Sequence, residues 1–97
     1  MPYFLVHALY APGTGEARET QHPVHKARLR NHDHPVTVHI GGPLLNDEGA
    51  KFGTMLVIEA ASKAEVETFM KADPYVDAGI YATIDVHPFL WGTGAPE

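Results

Sequence analysis

The chain has 97 residues, 20% of them charged and 44% hydrophobic, with a formal net charge of −5 when its histidines are neutral. That balance fits one folded domain over residues 1–97 and argues against disorder. The acidic sign and the absence of a basic stripe speak against nucleic acid as a partner. Cysteine is absent, which removes a disulfide framework, a thiolate nucleophile and a cysteine metal knot, and is compatible with a cytoplasmic location. No apolar run approaches the ~20 residues of a membrane span, so no membrane partner is expected. The opening Met1-Pro2-Tyr3-Phe4-Leu5-Val6-His7 has neither a basic leader nor a small-residue cleavage site.

In chain order, Tyr3 to Tyr10 alternates, but both of its faces are mostly apolar, which predicts a strand covered on both sides. Ala11-Pro12-Gly13-Thr14-Gly15 breaks it. Glu16 to Asn31 is polar and helix-compatible, and Pro23 either kinks that helix or opens a fresh segment. On a helix beginning near His22, the residues His22, His25, Leu29 and His32 share one stripe. Val36 to Ile40 alternates as a second strand, which Gly41-Gly42-Pro43 is expected to end. Leu44 to Gly53 reads as a loop turning at Asn46-Asp47-Glu48-Gly49, and Thr54 to Glu59 as a buried strand.

Ser62-Lys63-Ala64-Glu65 is a capping box, with serine at the N-cap and glutamate at the third helical position. Val66, Phe69 and Met70 then form the stripe of a helix lying on a sheet, and Pro74 halts that helix. Asp73-Pro74 suits the start of a single turn, Tyr75 to Ala78, closed by Gly79. Ile80 to Pro88 is the last strand, with Ile80, Ala82, Ile84 and Val86 expected on one face, and the glycine- and proline-rich tail begins at Trp91. The fold class is α+β, in the order β-α-β-β-α-β of the ferredoxin-like plan. Two helices cover one sheet face, and a second copy of the chain is the simplest lid for the other, giving a homodimer.

The chemistry centres on His25 and Asp73, far apart in sequence. A carboxylate that grips one imidazole nitrogen fixes the tautomer and makes the other nitrogen a better base. A residue early in the first helix can approach the end of the second in this plan, which would bring the two together. The bland alternatives are an exposed helical histidine and an aspartate that only caps a turn. Seven histidines are many for this length, and adding their seven charges to −5 gives +2, so solubility or association is expected to depend on pH.

The first strand Tyr3-Phe4-Leu5-Val6, the segment His25-Lys26-Ala27-Arg28-Leu29, Gly41-Gly42-Pro43-Leu44, the run Asp73-Pro74-Tyr75 with Gly79-Ile80-Tyr81, and the ending Val86-His87-Pro88-Phe89 together resemble the YCII (YciI-like) family. The resemblance covers about the whole chain in order. It implies a dimeric α+β barrel, similar in plan to muconolactone isomerases and to dimeric barrel monooxygenases. It also implies a His–Asp dyad, which falls on His25 and Asp73, and a relative that eliminates chloride from a chlorinated hydroxyhydroquinone. The chain departs from the pattern at Lys26, where a leucine often follows the histidine, and in its histidine-rich His32-Asp33-His34-Pro35.

The dyad leads to an expected function: cofactor-free general acid/base proton transfer on a small activated ring or lactone, of the isomerase, tautomerase or dehydrohalogenase (lyase) type. Tyr75, Tyr81, Gly42 and Pro43 are the candidate substrate-binding residues, although core packing is the ordinary role of such tyrosines. The small-molecule ligand itself is not specified by the sequence. The main alternative is a non-catalytic dimeric ligand-binding module of the same fold. A metal site on His22, His25 and His32, with Asp33 and His34 nearby, lacks any recognised ligand signature, and no metal or other cofactor is expected. A proline amine exposed by loss of Met1 would serve as a base in tautomerase-type proteins, but the element order lacks their shorter β-α-β unit.

Overall fold

The computed structural model describes residues 2–30 and 35–95. Within them lie β1 (Tyr3–Tyr10), α1 (Gly15–Arg30), β2 (Thr37–Leu45), β3 (Lys51–Glu59), α2 (Lys63–Lys71), α3 (Pro74–Asp77) and β4 (Tyr81–Phe89). The described strands form one four-stranded antiparallel sheet in the order β2-β3-β1-β4. This is the α+β, ferredoxin-like arrangement expected from the sequence, with the short α3 added after α2.

The alternation of β1 decides which side is core. Phe4, Val6 and Ala8 are buried, and Phe4 and Val6 pack with Leu56, Ile58, Val66 and Phe69 between the sheet and α2. Tyr3, Leu5, His7 and Leu9 are half-buried on the opposite face. The capping box starts α2: Ser62 accepts the Glu65 N–H at 3.3 Å, and the Glu65 carboxylate reaches back to the Ala61 N–H at 3.4 Å. No described helix is long and apolar enough to cross a membrane.

Three local expectations are corrected. Gly41-Gly42-Pro43 does not end β2; the strand runs on to Leu45, with Gly41 opposite Leu56, Gly42 opposite Met55 and Pro43 opposite Thr54. β2 is an edge strand, where a proline without an N–H costs no ladder bond, and a Cβ at Gly41 would collide with the Leu56 side chain. The hairpin therefore turns only at Asn46, whose side-chain oxygen accepts the Glu48 and Ala50 N–H groups at 3.0 and 2.9 Å.

In β4, Leu9 pairs with Thr83 and Tyr10 with Tyr81, so Ala82 is an extra residue in a bulge. The bulge flips the alternation: Tyr81 and Ile84 pack against the core, whereas Ala82 is exposed. Finally, α1 is one helix with Pro23 inside it. It begins at Gly15, so His25 lies in its second half rather than early in a segment starting near His22.

Candidate functional site

Helix α1 is polar, and its only buried residue among those described is His25. A buried histidine needs a partner. α1 packs against α3, and at the start of α3 Asp73 acts as N-cap, accepting the Tyr75 N–H on Oδ1 at 2.9 Å. Pro74 occupies the first helical position, and Gly79 (φ +70°) ends the turn by donating its N–H to the Val76 carbonyl at 3.0 Å. That small rigid turn fixes a carboxylate beneath α1.

His25 Nδ1 lies 2.8 Å from both Asp73 oxygens, with Asp73 fully buried and His25 5% exposed. Because Asp73 is held as an acceptor, this geometry makes Nδ1 the protonated nitrogen, donating to the carboxylate. Tyr75 stacks on the imidazole, ring centroids 3.9 Å apart and planes 10° apart. Nε2 makes no hydrogen bond among the described residues.

Arg28, one turn beyond His25 on α1, completes the surroundings of Asp73. One guanidinium nitrogen donates to Asp73 Oδ2 at 3.4 Å and the other to the Phe69 carbonyl at 2.6 Å. Burial pulls the Arg28 guanidinium below its ordinary pKa, with the charge of Asp73 and its hydrogen bond opposing. Arg28 thereby offsets a buried negative charge that would otherwise be costly.

A cavity of about 1090 Å³ opens between α1 and the β2–β3 hairpin, and His25 and Tyr75 form part of its wall. Tyr10, Arg18, Gly42, Pro43 and Thr54 also line it. Two of the expected binding residues, Gly42 and Pro43, thus reach the cavity only because β2 extends past them. Tyr75 reaches it as well, and its hydroxyl sits 3.4 Å from the Arg18 carbonyl and from His22 Nδ1. Tyr81 stands behind the wall: its hydroxyl bonds to Thr54 Oγ1 at 3.2 Å, and the same Thr54 atom lies 3.1 Å from the Tyr10 hydroxyl. Burial raises the phenol pKa of Tyr81 far above 10.0, and burial likewise raises that of Tyr75, with Tyr10 and Asp73 adding to it.

Arg18, Arg28, Tyr10 and Thr54 were not singled out from the sequence. Arg28 had a usable signal, since its i+3 spacing from His25 puts both on one helix face. The suggested metal ligands His32, Asp33 and His34 lie outside the described residues. Among the described residues, no group of three His, Cys, Asp or Glu side chains is arranged to hold a metal. Pro2 is exposed, and its carbonyl accepts the Ala60 N–H at 3.1 Å.

Comparison with known proteins bears on the family and the fold. Protein YciI of Escherichia coli O6:H1 and protein YciI of Shigella flexneri are each 30% identical to the chain over 94 residues, spanning 88% of it and 96% of each relative. Among solved structures, 5-chloro-2-hydroxyhydroquinone dehydrochlorinase (TftG) from Burkholderia phenoliruptrix AC1100, in complex with 2,5-dihydroxybenzoquinone, is 30% identical with a TM-score of 0.76 over 95% of both chains. A NIPSNAP domain protein from Burkholderia xenovorans, 9% identical with a TM-score of 0.54 over the full length of both chains, shares the fold alone. The profile of the YCII-related domain matches residues 1–90, and the chain belongs to that family.

Proposed function

We propose that the protein is a small-molecule enzyme that moves a proton with the His25–Asp73 pair. The observation that carries this reading is a buried histidine, held by a buried carboxylate through Nδ1, in the wall of a cavity large enough for a substrate. Nε2 takes a proton from an acidic C–H or O–H of the ligand, and Asp73 stabilises the imidazolium that forms. Return of that proton at a different atom gives isomerisation or tautomerisation; departure of a halide from the adjacent carbon gives elimination. A placed histidine contributes ~10²–10⁴-fold to such a step.

The Tyr75 stack and the two-oxygen grip of Asp73 restrict rotation of the imidazole, so the base is preorganised. Gly42 and Pro43 form the opposite wall, and side chains suffice for the chemistry without a cofactor. The likeness to a dehydrochlorinase seen with a dihydroxyquinone supports activated hydroxylated rings as the substrate class.

Proton exchange or halide release in D₂O, followed by NMR over hydroxylated aromatics, quinones and lactones, tests the reading. At least one compound is expected to be turned over by the wild type and not by His25→Asn. Equal turnover by the two proteins overturns the assignment.

The open sheet face supports a homodimer: Leu5 and Leu9 of the central strand β1 are half-buried on the face away from the core. Sedimentation velocity is expected to give a dimer, and a monomer at all concentrations contradicts it. A cysteine-free chain fits a cytoplasmic setting.

A further inference from the structure

Charge is distributed unevenly on this acidic chain. Of its seven Lys and Arg residues, four (Arg18, Lys26, Arg30 and Lys51) line the cavity beside His25; of the ten Asp and Glu residues among those described, only Glu19 does. Lys26, Arg30 and Lys51 are exposed at the rim. Arg18 is different. It is half-buried, with its guanidinium carbon 4.3 Å from the centre of the Tyr10 ring, and its Nε is buried with no hydrogen-bond partner among the described residues. A desolvated donor of this kind is costly unless something accepts from it.

We infer that the cavity binds a planar organic anion, a ring bearing a carboxylate or enolate oxygen, with Arg18 as its anchor. This rests on the proposed function, because it names the class of ligand presented to His25. Arg18 and His25 are seven residues apart on α1 and so share a face, about 10 Å apart along the helix axis. A six-membered ring with a short acidic arm, plus one hydrogen bond at each end, spans a gap of that order. The rings of Tyr10 and Tyr75, 6.3 Å apart, line the stretch between the two groups. They offer apolar surface to the ring while Arg18 donates N–H bonds to the charged oxygen. The rim lysines and Arg30 attract anions from a protein whose overall charge repels them.

Calorimetry with 4-hydroxybenzoate and the isosteric neutral 4-hydroxybenzamide tests the inference. The carboxylate is expected to bind the wild type about 10–100-fold more tightly than the amide. Arg18→Gln is expected to remove that preference and Arg18→Lys to restore part of it, with circular dichroism confirming that both fold. His25→Asn is expected to keep the preference, so loss of turnover in that variant separates the proton-transfer reading from this one. Equal binding of the two probes, binding of neither at millimolar concentration, or an unchanged preference in folded Arg18→Gln overturns the inference.

Discussion

Asp73 and Tyr75 hold His25 from two directions: the carboxylate meets the imidazole edge at 2.8 Å, and the phenol ring covers its face at a centroid distance of 3.9 Å. Both grips come from one turn, because Asp73 also accepts the Tyr75 N–H. A single local structure, Asp73-Pro74-Tyr75, therefore sets the position, tautomer and rotamer of a residue 48 positions earlier in the chain.

Asp73→Asn separates geometry from chemistry. The amide oxygen can still cap Tyr75, but the amide then presents N–H to His25 Nδ1, which must become an acceptor and move the ring proton to Nε2. Turnover of a substrate found in the exchange screen is expected to fall by ~10²–10⁴-fold, with the fold retained. Asp73→Ala additionally removes the cap on Tyr75 and the buried hydrogen-bond acceptor of His25, and a denaturant titration is expected to show a loss of ~3–5 kcal/mol.

Tyr75 contributes mainly through its ring. Tyr75→Phe keeps the stack and removes only two long hydroxyl contacts, so stability is expected to change by no more than ~1 kcal/mol. Tyr75→Ala empties a buried site and is expected to cost ~3–5 kcal/mol by chemical denaturation, the range for removing a buried aromatic side chain.

Two pH limits follow from the shifted groups. Tyr75 and Tyr81 have folded values above 10.0, so their contribution is intact below 10 and is lost progressively as pH rises through the folded values. Both are expected to ionise at higher pH than a free phenol, Tyr81 later still because of its larger shift, read by phenolate absorbance. Glu59 is held below 4.5 by its hydrogen bond to His39, so its contribution is present above 4.5 and is lost as pH falls through the folded value. Glu59→Gln is expected to shift the acid limb of stability.

Gly41 keeps the cavity wall close to β3. Gly41→Val places a Cβ into the Leu56 side chain and is expected to destabilise by ~1–3 kcal/mol. Thermal denaturation measures the loss, and ligand binding in the folded variant measures the narrowed cavity.

Local rules read most of the fold directly. The capping box before α2, the turn at Asn46, and the Asp73 cap closed by Gly79 all depend on neighbours within a few residues, and each appears as expected. What escaped depends on partners far along the chain. Gly41-Gly42-Pro43 has the composition of a turn, but pairing with Leu56, Met55 and Thr54 on an edge strand overrides it. The Ala82 bulge is set by the register against Leu9 and Tyr10, and no period-two pattern reveals it. The family resemblance led to His25 and Asp73. Arg28 and Arg18 carry no sequence signal of this kind because polar helix residues ordinarily face water, and only the packing of α1 brings Arg28 to Asp73 and Arg18 to the cavity wall.

The most direct test is the tautomer of His25 in the folded wild type, read by long-range ¹H–¹⁵N NMR once the imidazole is neutral and assigned by its absence in His25→Asn. The proton is expected on Nδ1, with Nε2 bare. A proton on Nε2 would contradict the proposal that this nitrogen serves as the base.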